Sequence, residues 1–191
     1  MSSHFWWYIA RASGLVAWSL VVASCTWGLL HAIRAFGRRP SPAWMLSMHR
    51  YLSALAIAFV AVHVVAIVAD DFVHFGLLDV FVPVVSAWHP VAVAWGIVAM
   101  YLLLGIEGTS LARHRLSPKV WRGVHVLSYV LLAMVTIHLL TAGTDADNLL
   151  PAASAVLIGV AAVFGSAMLL TWRTAPKTRT LATERDVVTS R

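Results

Sequence analysis

Five long apolar stretches dominate the sequence, and each approaches or exceeds the roughly 20 residues that a helix needs to cross a hydrocarbon core. The chain is 60% hydrophobic and only 12% charged, with a mean hydropathy of +0.81, whereas a soluble domain carries about 25% charged residues. We therefore predict an all-α integral membrane helical bundle in which five transmembrane helices form one domain, residues 1–172. The predicted spans are residues 14–33, 48–69, 91–106, 120–141 and 151–172.

The charges divide between the two sides of this bundle. Thirteen of the 14 basic residues fall in the first loop, the third loop and the tail, whereas the second and fourth loops carry Asp without Lys or Arg. The positive-inside rule then predicts an extracytoplasmic N-terminus, a cytoplasmic C-terminus and a multi-pass protein of the inner (cytoplasmic) membrane. The net charge of +6 is a topology signal, and we expect no nucleic-acid partner. Residues 173–191 are predicted to form a disordered, basic cytoplasmic tail.

The second loop, from about residue 70 to residue 89, contains an apolar piece at residues 77–85. This piece is too short to span a membrane. We predict that it lies in the interface and caps the outer surface.

Two histidine pairs lie inside the apolar stretches: His49 with His63, and His125 with His138. Spacings of 14 and 13 residues separate the members of each pair by roughly 20 Å along a helix axis. The second and fourth predicted spans run in the same direction, so His49 and His125 share the inner leaflet and His63 and His138 share the outer leaflet. Histidines inside a membrane are costly and usually functional.

This arrangement is the one that bis-imidazole ligation of two haems b requires, with the four histidines as the iron ligands. The alternative is four neutral histidines in hydrogen-bonded packing. The shorter of the two spacings is imperfect, because at about 100° per residue it leaves His125 and His138 about 140° apart around a regular helix. We therefore expect the fourth span to tilt, to supercoil, to carry a local irregularity or to present its two histidines to different sides.

Haem propionates need cationic or hydrogen-bonding partners. On the inner side Arg50 follows His49 directly, and Arg122 lies three residues before His125. On the outer side the only basic residue is Arg11, which we predict to contact an outer propionate; the alternative is simple anchoring at the interface.

At these residues the chain resembles the ferric reductase-like transmembrane domain family. That family includes the membrane cores of NADPH oxidases and ferric reductases and the haem-binding membrane subunit of the periplasmic methionine sulfoxide reductase system. Besides the two histidine pairs, the segment from Trp121 to Tyr129 resembles the family's haem-helix opening, and the segment from Arg11 to Gly14 resembles the opening of its first core helix. The resemblance covers about residues 8–145.

The resemblance implies an inner haem held by His49 and His125, an outer haem held by His63 and His138, and electron flow from the cytoplasm to the exterior. The family's oxidases carry a cytosolic flavin and nicotinamide domain, for which this chain has no room. A separate donor, a flavoprotein or membrane quinol, is therefore expected, so that a quinone or a flavin would be supplied by a partner. The expected extracytoplasmic acceptor is a protein or ferric iron.

The sequence thus predicts a di-haem b-type cytochrome that passes electrons across the membrane, and it leaves open whether the chain is an enzyme by itself or a relay in a larger oxidoreductase. The alternatives are a cytochrome with one filled haem site, a cofactor-free membrane scaffold, and a histidine-lined metal or proton transporter. Transporters often have broken helices and polar groups at the midplane, whereas these four histidines lie towards the membrane faces.

Overall fold

The structure is a computed structural model that describes residues 4–32, 41–71 and 74–143, together with short helical pieces between residues 154 and 166. In this part of the chain the regular structure is helical, without a β-strand. The helices are α1 (Phe5–Ala32), α2 (Pro42–Val68), the short α3 (Leu77–Phe81), α4 (Pro90–Leu111), α5 (Pro118–Val126) and α6 (Ser128–Ala142).

Four helical segments are long and apolar enough to cross a membrane: α1, α2, α4, and α5 with α6 taken together. They have 28, 27, 22 and 25 residues, so at 1.5 Å per residue each exceeds about 30 Å. The all-helical membrane fold predicted from the sequence is therefore confirmed in its class. The predicted fifth span, residues 151–172, lies largely outside the described residues, and the tail, residues 173–191, lies wholly outside them.

Local signals in the sequence fix where several helices begin. Ser41 and Ser117 accept hydrogen bonds from the first turns of α2 and α5, and a proline occupies the first position of each helix. Proline suits this position because its missing N–H has no helical partner there. Helix α1 begins at Phe5, well before the predicted span, so Arg11 lies within the helix. Its guanidinium lies 4.3 Å from the Trp7 ring centre, one turn away.

The bundle is built from two closely packed helix pairs, α1 with α2 and α4 with α6, and α1 also contacts α6. A dry core of aliphatic side chains joins the pairs, among them Val21, Ala56, Leu103 and the fully buried Leu132. One end of the bundle carries Arg50, Arg113, Arg115, Lys119 and Arg122, and we call it the basic end. The opposite end carries Asp70, Asp71 and Asp79, and we call it the acidic end.

The fourth predicted span is interrupted at Leu127, between α5 and α6. The Leu127 N–H donates to the Val124 carbonyl at 3.0 Å, a bond to the third preceding residue. Such a turn rotates by about 120° per residue, against about 100° in a regular helix. The irregularity therefore recovers part of the rotation that is missing between His125 and His138 in a regular helix.

Helix α3 lies between α2 and α4 and contacts both. The Tyr101 hydroxyl donates to the Phe81 carbonyl at 2.7 Å. Tyr101 lies about three helical turns beyond Pro90 on α4, and its hydroxyl contacts the last residue of α3. Leu77 and Leu78 of α3, and Val84 just after it, have exposed side chains. Helix α3 lies within the apolar piece at residues 77–85, and its predicted position in the membrane interface over the outer surface stays a prediction.

Candidate cofactor site: two facing histidine pairs

The structure brings the four histidines together as two facing pairs. The ring centres of His49 and His125 are 5.9 Å apart near the basic end, and those of His63 and His138 are 6.4 Å apart near the acidic end. These are the pairings predicted from helix direction and depth. Each pair joins α2 to the α5–α6 segment across the bundle.

Three of the histidines are held by the same arrangement on a neighbouring helix. His63 donates its Nδ1–H to the Ala10 carbonyl at 2.7 Å, and His138 donates to the Ala92 carbonyl at 2.8 Å. His49 donates to the Ser24 carbonyl at 3.0 Å. Because Nδ1 carries the proton in each case, the lone pair lies on Nε2, which is the nitrogen left for a metal.

A glycine one helical turn beyond each of these carbonyls makes room for the ring. A Cβ added to Gly14 would lie 2.9 Å from His63 Nδ1, one on Gly28 would lie 3.1 Å from His49 Cε1, and one on Gly96 would lie 2.7 Å from His138 Cε1. A larger residue at Gly14 or Gly96 would therefore displace the imidazole, and one at Gly28 would require the His49 ring to shift by a few tenths of an ångström. We call each glycine with its preceding carbonyl a histidine cradle.

The two cradles on α1 match the two histidines on α2. Gly14 and Gly28 are separated by as many residues as His49 and His63. The antiparallel helices α1 and α2 therefore place one glycine beside one histidine at each end of the bundle. The contacts of these glycines and carbonyls with the histidines were not predicted from the sequence, although the equal spacing of the two glycines and the two histidines was a signal for them.

A small polar network adjoins His49. The Ser24 hydroxyl lies 3.2 Å from His49 Nδ1 and 3.0 Å from the Ser53 hydroxyl. Both serines are buried, so their hydroxyls satisfy one another and the imidazole in place of water.

His125 is held differently from the other three. Its ring stacks on Trp121, with ring centres 5.1 Å apart and planes 22° from parallel. Its Nδ1 is buried and has no hydrogen-bond partner in the part of the chain that the structure describes. A cation–π contact extends this stack, because the Arg113 guanidinium lies 5.0 Å from the Trp121 ring centre.

A cavity of about 670 Å³ opens at the acidic-end pair. His63 and His138 line it together with Arg11, and two of the cradle glycines, Gly14 and Gly96, form part of its wall. Its remaining surface is mainly apolar, from α1, α4 and α6. The lining also contains aromatic side chains and the carboxyl groups of Asp70 and Asp79 beside Arg11, so the cavity is a large, mostly apolar site with a few polar groups, as cofactor sites are.

These features fit a haem better than a bare metal ion. Metal–imidazole bonds of about 2 Å on both sides of one metal place the ring centres about 6 Å apart, close to both observed separations. Among the described residues no group of three or more His, Cys, Asp or Glu side chains could hold a metal ion. Two imidazoles are enough only where the cofactor supplies the remaining ligands, as a porphyrin does.

The remaining predicted site residues are three arginines, whose contacts with a cofactor stay a prediction. Arg50 and Arg122 are exposed at the basic end, and Arg11 is half-buried at the acidic end. Cys25 is free and half-buried.

A comparison with protein families identifies the family of the chain. The family model described as "Ferric reductase like transmembrane component" matches residues 13–136, which include His49, His63 and His125. No curated protein and no solved structure matches the chain.

Proposed function

We propose, from the premise that this chain belongs to the ferric reductase like transmembrane component family, that it is a di-haem b-type cytochrome, an electron-transfer subunit of the cytoplasmic membrane. The observation that carries the proposal is the pair of facing imidazoles repeated near each end of a membrane-spanning bundle. Family membership supports a membrane electron-transfer role, and the two pairs support the number of haems.

The proposal assigns one haem to each pair. The positive-inside rule favours the cytoplasm for the basic end, with the N-terminus outside and the C-terminus inside. His49 and His125 then hold the inner haem, and His63 and His138 hold the outer haem. Arg11 lines the outer cavity and is the proposed partner of an outer propionate, while Arg50 and Arg122 are the proposed partners at the inner haem.

The residues of the chain position and insulate these groups. When bound, haem supplies a one-electron iron couple whose potential depends on axial ligands, hydrogen bonds and burial. The backbone carbonyls at Ala10, Ser24 and Ala92 fix three imidazoles in the ligating tautomer and make them more basic. The aliphatic core around Leu132 lies between the two levels and keeps water out.

One polar contact crosses that core. The Trp18 indole N–H donates to the Thr136 hydroxyl at 3.1 Å, and that hydroxyl donates to the Leu132 carbonyl at 2.7 Å. Trp18 lies one helical turn beyond Gly14, and Thr136 comes shortly before His138. The contact ties α1 to α6 on the core side of the outer pair. It therefore holds the helix that carries the Ala10 carbonyl against the helix that carries His138.

Members of this family work with partner electron-transfer components. The proposed donor is a flavoprotein or membrane quinol, which would bring any flavin or quinone with it, and the proposed acceptor is an extracytoplasmic protein or ferric iron. We propose that the lipid bilayer surrounds the exposed leucines and valines of the helices.

The first test is a reduced-minus-oxidised spectrum of the purified full chain with haem measured per protein. The proposal requires about two b-type haems per chain with bis-histidine, low-spin spectra. One haem per chain would favour the single-site cytochrome, and no haem after expression with ample haem supply would leave the scaffold or transporter alternatives.

Substitution of His63 tests the assignment of each haem. His63→Ala should lower the haem content from about two to about one per chain and abolish transfer to an external acceptor, since one axial ligand is lost. His114→Ala, a change at an exposed histidine of the basic end, is the matched control and should keep both haems. Loss of both haems or of neither in His63→Ala would contradict the assignment.

A further inference from the structure

One cation lies in the wall of the acidic-end cavity. Arg11 lines this cavity, and among the described residues it is the only Lys or Arg side chain that does so. The carboxyl groups of Asp70 and Asp79 lie in the same lining. Because charges of both signs meet there, the electric field that acts on a bound cofactor depends on where the Arg11 guanidinium is held.

The Arg11 side chain also has a route out of the cavity. Helix α1 begins at Phe5, roughly 9 Å before Arg11 along the helix axis, and side chains of a helix lean towards its N-terminus. In α1 that direction is towards the acidic end of the bundle. An arginine near a membrane surface extends to the headgroup region, because its charge is costly in hydrocarbon. The guanidinium therefore stays at the cavity only if a neighbouring group holds it there.

The Trp7 indole lies on that route. Trp7 precedes Arg11 by one helical turn, and both residues line the cavity. The central carbon of the Arg11 guanidinium lies 4.3 Å from the Trp7 ring centre, within the roughly 6 Å of a cation–π contact. The five N–H donors of a guanidinium lie in its plane and match a carboxylate, so a guanidinium that contacts a ring face can still donate hydrogen bonds to a carboxylate.

We propose that Trp7 is a positioning residue, whose ring holds the Arg11 guanidinium at the cavity to meet a carboxylate of the bound cofactor. This inference rests on the proposed di-haem function. A tryptophan that only anchors α1 at the interface acts without Arg11, whereas a positioning residue acts only through it. Trp6 offers the contrast within the chain, because it is also half-buried but contacts Phe5 edge-to-face and is not part of the cavity lining.

Redox titration of the purified full chain tests this proposal. The outer haem is the component that is absent in His63→Ala. Arg11→Gln removes a nearby positive charge and should lower the reduction equilibrium constant of that component about 3-fold, or about 30 mV at 59 mV per tenfold. Trp7→Leu should lower the constant in the same direction by about two-fold, because the guanidinium then leaves the cavity.

The double variant distinguishes positioning from anchoring. When Arg11→Gln is already present, Trp7→Leu should change the potential no further, since the ring then has no guanidinium to hold. Trp7→Phe keeps an aromatic face and should retain most of the wild-type potential. Trp6→Leu is the matched control and should leave the potential unchanged. An unchanged potential in Trp7→Leu, or an equal drop with and without Arg11, would overturn the proposal, as would a potential in Trp7→Phe as low as that in Trp7→Leu.

These results separate the positioning role from the proposed function. A chain without haem would refute the proposed function, and this inference with it. Two bis-histidine haems whose potentials do not respond to Trp7→Leu would leave the electron-transfer function standing and refute the positioning role alone.

Discussion

The imidazoles of His63 and His138 each depend on the absence of one methyl group on a neighbouring helix. At Gly96 the helix surface lies so close to His138 that a Cβ would come within 2.7 Å of Cε1 and 2.9 Å of Nδ1. Real Cβ atoms essentially never approach so closely. The imidazole would have to rotate, which would break its hydrogen bond to the Ala92 carbonyl and turn Nε2 away from His63.

We therefore expect Gly96→Ala to lose the outer haem. Haem content should fall from about two to about one per chain, or haem affinity by about 10–100-fold, as is typical when the support of a ligand is removed. Gly105→Ala on the same helix is the matched control, because a Cβ there meets nothing within 4 Å. Haem content measured per purified chain gives the result, and equal loss in both variants would show a general effect of alanine on α4.

At the scale of the element, the α5–α6 junction sets the direction of two ligands at once. A regular helix would leave His125 and His138 about 140° apart, yet the structure directs both towards α2. The bond from Leu127 N–H to the Val124 carbonyl marks where the regular helix is interrupted. The junction therefore helps to direct both histidines, although it carries no proposed ligand itself.

Insertion of one alanine between Val126 and Leu127 tests this role. The insertion rotates α5 relative to α6 by about 100°, so His125 should leave His49 while His138 stays opposite His63. The expected result is loss of the inner haem alone, seen as about half the haem content with the outer-haem spectrum unchanged. The same insertion between Leu116 and Ser117, in the connection before α5, keeps the spacing of the two histidines and should retain both haems. Two haems in the first variant would contradict the role of the junction.

At the scale of the whole molecule, the sequence was sufficient for the features that depend on periodicity and composition. Apolar length predicted the four spans that lie among the described residues, and helix direction predicted which histidines meet. What it did not predict depends on close contact between helices: the glycines beneath the rings and the carbonyl acceptors. Apolar stretches carry little information about which helix face meets which, because in lipid every face is apolar.

The separation of the two sites also has an electrical consequence. His49 and His63 on α2 are separated by roughly 20 Å along a hydrocarbon core of about 30 Å. One charge that crosses the whole membrane changes in energy by about 2.3 kcal/mol per 100 mV, so transfer between the sites responds to about two thirds of that, roughly 1.5 kcal/mol. An inside-negative potential favours outward movement of an electron.

We therefore expect transfer across the molecule to depend on voltage. In vesicles that enclose dithionite and face external ferricyanide, an inside-negative potential of about 100 mV should raise the rate of ferricyanide reduction about three-fold, if about half of the roughly 1.5 kcal/mol acts on the barrier. The potential is set by a potassium gradient with valinomycin. Vesicles with His63→Ala correct for leakage and should show neither the reduction nor its voltage dependence. A wild-type rate that is the same at zero and at negative potential would mean that the slow step does not cross the membrane, and the two histidine pairs would then not act in series.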